Sequence, residues 1–104
     1  MSGANPARGE VAIIVGGENL VLRPSFEALV AAEAELGPLF ALVERAAEGR
    51  LALAEMVGLI WHCVAKRPDW CTRERVGEAL AEQGLTKATP VLKVLLTQIL
   101  QGRV

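Results

Sequence analysis

The stretch Glu10-Val-Ala-Ile-Ile-Val15, Gly16-Gly17-Glu18, Asn19-Leu-Val-Leu-Arg-Pro24, then Ser25 and an apolar-periodic run to Leu36, decides the fold. Val11, Ile13 and Val15 alternate onto one face of an extended segment, and Ala12 and Ile14 onto the other. Both faces are apolar, so cover on both sides is expected. Gly16-Gly17 supplies the positive φ angles of a tight hairpin turn. Leu20 and Leu22 repeat the inward side on the return strand, and Pro24, which has no N–H for a ladder, ends it. A two-stranded hairpin alone is marginal in water, so helices must pack on it or a partner must extend it.

Downstream the pattern is helical. Ser25 is a natural N-cap, and Phe26, Leu29 and Val30 give the apolar face of a helix that closes at Leu36 before Gly37. Pro38 fits the first turn of a second helix with the stripe Leu39, Leu42, Val43, Ala46 and a C-cap at Gly49. A third helix is predicted from about residue 52 to 65, with Leu53, Met56, Val57, Ile60, Trp61 and Val64 on one broad face. Pro68 stops it, and Lys66 and Arg67 suit its C-terminal dipole. Thr72 caps a fourth helix carrying Val76, Ala79 and Leu80, which ends near Gly84; Pro90 opens a fifth. The predicted fold class is α+β, mostly α: an N-terminal two-stranded antiparallel β-hairpin followed by a compact bundle of four to five helices. Residues 1–8 read as a flexible leader and 9–104 as a single hairpin-plus-helices domain.

The chain of 104 residues is long enough for one modest core. It is 52% hydrophobic but only 4% aromatic, with no Tyr, so Leu, Val, Ile and Ala must build that core. A net charge of −1 lacks the basic balance of a nucleic-acid binder. No apolar run reaches the roughly 18–20 residues that span a bilayer, and the first residues lack the apolar middle of a secretory signal. Two cysteines are too few for a disulfide framework. A cytoplasmic protein with free thiols, no nucleic-acid partner and no membrane partner is expected.

His62, Cys63 and Cys71 are the ligand-type residues that lie closest together, with Asp69 beside them. A zinc site needs about four ligands at regular spacing, and these are irregular. A thiol nucleophile would need an imidazole within hydrogen-bond reach, an orienting group and an oxyanion site, and no local signature marks them. Gly16-Gly17 joins two strands rather than a strand and a helix, unlike a phosphate loop. No catalytic, cofactor-binding or metal residue is therefore assigned, and no cofactor. Lys66, Arg67, Arg73 and Arg75, with Glu74, Glu78 and Glu82 alongside, read as a solvated mixed-charge surface. Trp61 fits the core stripe of the third helix, whereas Trp70 lies in a loop, where an exposed Trp would anchor a partner. The fifth helix carries Val91, Leu92, Val94, Leu95, Leu96, Ile99 and Leu100, more apolar residues than one core-facing stripe uses. It is either the central helix of the bundle or the bearer of a second, partner-facing stripe. The candidate partner-binding residues are Trp70, Val91, Val94, Leu95 and, on the hairpin, Ile14.

The order of elements then becomes familiar. Gly9-Glu10-Val11-Ala12, the Gly-bearing turn, and Leu22-Arg23-Pro24-Ser25-Phe26 leading into a helix resemble one family. So do Leu29, Glu33 and Glu35-Leu36-Gly37, then Leu39, Leu42 and Glu44-Arg45, Glu48-Gly49, the late Gly84, and the ending Leu95-Leu96, Ile99-Leu100, Gly102. The chain resembles the gene-transfer-agent and phage tail protein family that is grouped with the tail-assembly chaperones, over roughly residues 9–102. Trp61-His62-Cys63 and the loop 67–71 depart from the family pattern. The resemblance implies a non-enzymatic protein of a prophage or gene transfer agent. It would be a tail-assembly chaperone that binds a tail-tube or tape-measure protein or, alternatively, a structural tail-tube component. Self-association into a homo-oligomer stays open. A small metal-binding or thiol enzyme domain is the reading from another class. Client binding would use the fifth helix and the hairpin edge, where an added strand is one mechanism.

Overall fold

Alternating β-branched residues and a double glycine make the first element. The computed structural model describes residues 10–101, so the predicted leader lies outside the described residues. Strands β1 (Val11–Val15) and β2 (Glu18–Leu22) pair antiparallel, with Val11 opposite Leu22, Ile13 opposite Leu20 and Val15 opposite Glu18. Gly16 and Gly17 take φ of 59° and 80°, the two positive values that a type I′ turn demands. Ile13, Val15, Leu20 and Leu22 are buried. The other face is not covered as expected. Ile14 is 53% exposed, because the helices pack against one side of the sheet only.

Five helices complete the chain: α1 (Phe26–Leu36), α2 (Leu39–Ala47), α3 (Leu53–Cys63), α4 (Arg73–Gln83) and α5 (Leu85–Gln101). Ser25 Oγ accepts the Ala28 N–H and Thr72 Oγ1 the Arg75 N–H, each at 3.2 Å, so both predicted caps form. Pro38 and Glu48 occupy the cap positions of α2, with Gly49 just beyond. At α3 the cap residue Ala52 offers no side-chain oxygen. Glu55 supplies the reverse contact, its Oε1 accepting the Ala52 N–H at 3.0 Å. Leu22, Leu42, Leu59, Ile60 and Leu95 are fully enclosed in one core that joins the hairpin to the helices.

Three boundaries or faces differ from expectation. Helix α3 ends at Cys63, not near residue 65, because the next residues pair with the outer edge of β2. The Arg23 N–H donates to the Cys63 carbonyl at 2.7 Å, the Ala65 N–H to the Val21 carbonyl at 2.9 Å, and Val64 bridges Leu22. Helix α5 begins at Leu85, not at Pro90, which lies inside it. Gly84 ends α4 and the chain re-enters a helix at once. The bond lost at Pro90 falls near the helix start, where Thr89 Oγ1 donates to the Leu85 carbonyl at 2.9 Å. On α1, Phe26 and Val30 are 83% and 50% exposed. The inward stripe is Ala28, Ala32 and Leu36 instead. Helices α1 and α3 cross closely here: a Cβ on Gly58 would stand 3.1 Å from Leu36 Cδ2, so the glycine leaves room for Leu36 on the inward side.

Truncating Leu42 or Ile60 to Ala is expected to remove ~2–5 kcal/mol of stability, since both are enclosed on every side. Urea unfolding measures this; a midpoint unmoved by either substitution would contradict the inward faces of α2 and α3.

Candidate interaction surfaces

The polar residues of interest are absorbed into structural contacts. Glu35, near the end of α1, accepts two bonds from the Arg73 guanidinium, Nη1 to Oε2 and Nη2 to Oε1, both at 2.6 Å. His62 Nε2 lies 2.7 Å from Glu35 Oε1 and 3.3 Å from Arg73 Nη2. One ring nitrogen cannot donate to the carboxylate and accept from the guanidinium together. The shorter, charge-assisted contact decides, so Nε2–H donates to Glu35. Arg73 first, and His62 next, hold the Glu35 carboxyl at about 2, well below its ordinary value. Arg67 stacks 3.6 Å above the Trp61 ring and donates to the Trp61 carbonyl at 2.9 Å. These contacts tie α1, α3, α4 and the 64–72 loop together.

Both thiols are buried. Burial pushes Cys63 up to about 12, and it raises Cys71 as well, against the opposing charges of Arg67 and Arg75. A thiolate is the nucleophile and the metal ligand, so both environments work against either role. Among the described residues, no group of three or more His, Cys, Asp or Glu is placed to hold a metal ion.

The five partner-binding candidates do not form one surface. Leu95 is fully enclosed in the core. Trp70 is half-buried, with its Cζ3 3.6 Å from where a Cβ on Gly16 would sit, so it packs beneath the hairpin turn. Val91 is half-buried against the core, Val94 is 36% exposed, and Ile14 stands open on the hairpin. The β1 edge beside Ile14 is not bare, because Gln83 Nε2 donates to the Ile14 carbonyl at 2.7 Å.

The structure sets the apolar excess of α5 against a second wall that the sequence did not mark. A groove of about 480 Å³ runs between α2 and α5. Its apolar lining includes Val43, Ala46, Leu51, Met56, Leu92 and Leu100, and Lys93 and Thr97 contribute polar groups. The excess apolar residues of α5 form one wall. The other wall depends on where α2 lies, and no single-helix periodicity reports that. Two exposed aromatics, Phe26 and Phe40, were also missed, because an apolar residue at helical spacing reads as core.

Comparison with known families gives these apolar surfaces a context. A family model described as phage tail tube protein, GTA-gp10, matches residues 8–102. That match places the chain among proteins with a structural or assembly role in phage-like tails. The chain belongs to the phage tail tube protein, GTA-gp10, family. Comparison with curated proteins and with solved structures gave no match. No helix among the described residues is long and apolar enough to cross a membrane.

The depressed Glu35 carboxyl has a signed consequence. Its pairing stabilises the fold above an ordinary glutamate value of 4.5, and that contribution fades as pH falls from there toward about 2. Glu35→Gln is expected to unfold at lower urea than wild type at neutral pH, with the gap closing across that interval. A gap that stays constant with pH would show that the pairing adds nothing. Iodoacetamide in mildly alkaline buffer is expected to label neither native thiol at the rate of a free cysteine; rapid labelling of Cys63 would mean that α3 opens readily.

Proposed function

We propose that this chain is a non-enzymatic tail-assembly chaperone that holds an apolar segment of a tail-tube or tape-measure protein before the tail is built. The observation that carries the reading is the α2–α5 groove. Its length along α5, from Thr89 to Leu100, spans about three helical turns. Laying the apolar face of a client helix into such a groove needs no cofactor and no reacting group. Ala46, Ala47 and Gly49 on the α2 side keep that wall low, so a client backbone can come close. The family description favours a second reading, in which the chain is a structural component of the tail tube itself.

The two readings differ in where the chain ends up. A chaperone co-purifies with a tube or tape-measure protein from particle-producing cells and is missing from finished particles. A tube component appears in purified particles in fixed stoichiometry, and that result would overturn the chaperone reading. Leu100 is half exposed at the groove mouth. Leu100→Asp is expected to abolish co-purification while shifting stability by no more than about 0.5 kcal/mol, as surface changes do.

A further inference from the structure

We propose that the outer face of α1 and the start of α2 form an acidic aromatic ridge that docks a basic, apolar segment of another protein. This ridge is separate from the α2–α5 groove, and it does not depend on the chaperone reading. The chain has two Phe, and both are largely in water: Phe26 is 83% exposed and Phe40 75%. Val30, half exposed, lies one turn beyond Phe26 on the same face, and Glu33 one turn further. Glu33 Oε2 accepts the Leu39 N–H at 3.1 Å, which ties the start of α2, and with it the exposed Phe40 next in sequence, to this side of α1. Large apolar groups left exposed together mark an interface more than they mark scatter.

Charge selects the partner. From Pro24 to Glu44 the sequence carries four Glu and neither Lys nor Arg. Glu35 is held by Arg73 and His62, whereas Glu27, Glu33 and Glu44 are solvent-exposed. Glu44 falls one turn after Phe40, and Glu27 stands beside Phe26. The complement is a segment with apolar anchors flanked by Lys or Arg, whose cations meet the carboxylates and the faces of the two rings. Within this chain Arg23, Arg45, Arg50 and Arg73 are each paired with one of its own glutamates and Arg67 is stacked on Trp61, so among the described residues a second copy would have to dock through Lys66, Arg75, Lys87 or Lys93, an outcome the test below separates.

The test uses the full chain, labelled with 15N, and two synthetic amphipathic peptides of one apolar pattern, flanked by Lys in one and by Glu in the other. The Lys peptide is expected to shift amides around Phe26, Val30 and Phe40, with binding weakened by salt. Phe26→Ser/Phe40→Ser is expected to lower its affinity about tenfold while the circular dichroism and unfolding midpoint stay at wild-type values, since both rings are exposed. Glu27→Lys/Glu44→Lys is expected to reverse the preference toward the Glu peptide. Absence of shifts with the Lys peptide, equal binding of both peptides, shifts confined to the α2–α5 groove, or affinity unchanged in the double Phe variant would each overturn the proposal. Concentration-dependent shifts of the ridge amides without peptide would assign the face to a second copy and overturn it too.

Discussion

The attachment of residues 63–65 to the outer edge of β2 is the constraint on which the rest of the fold depends. A lone hairpin of five-residue strands has too little cooperative structure to persist in water. Two backbone hydrogen bonds, from Arg23 to Cys63 and from Ala65 to Val21, give β2 a second backbone partner beside β1. The same contact buries Leu22, Cys63 and Val64 together. It also directs the chain on either side. Helix α3 must stop at Cys63 although Val64 keeps the helical spacing. Lys66 then takes φ of 49° as the chain turns away, a conformation that non-glycine residues adopt seldom. Arg67 returns to the Trp61 carbonyl, satisfying one of the acceptors that a helix leaves at its end.

Local chemistry decides the parts that were legible in the sequence. The hairpin turn comes from two glycines, two helix starts come from Ser25 and Thr72, and the α+β order comes from the change of period at Pro24. The illegible parts depend on distant neighbours. Helix α1 is apolar on more than one side, so Phe26 with Val30 and Ala28 with Ala32 both stand at helical spacing. Gly58, on another helix, makes room for Leu36 and so favours the side of α1 that carries it. The end of α3 is set by β2, a strand distant in sequence. Pro90 misled because its usual place is the first turn, whereas here an early start at Leu85 tolerates it.

The candidate site divides in the same way. His62, Cys63 and Cys71 attracted notice as chemistry-bearing residues, and each has a structural occupation: a bond to Glu35 or burial in the core. Glu35 meets His62 and Arg73 across 27 and 38 residues of sequence, a separation at which no spacing rule operates. Excess apolar character on α5 did signal a surface, but the opposite wall comes from α2. Leu95 shows the limit of that signal, since the inner and outer stripes of an apolar helix cannot be told apart without its neighbours. The family was legible through resemblance rather than chemistry, and the match over residues 8–102 bears it out.

The two edges of the hairpin carry a wider consequence. With Val15 and Glu18 forming the hydrogen-bonded pair next to the turn, the outward-facing stations are Ala12 and Ile14 on β1 and Asn19 and Val21 on β2. Residues 63–65 close the β2 side, and Gln83 occupies the Ile14 carbonyl on the other. An incoming strand needs successive vacant stations, and these contacts occupy the Val21 carbonyl, the Arg23 N–H and the Ile14 carbonyl. Pairing of another strand along the end of β2 is thereby hindered, a local guard against strand-to-strand aggregation.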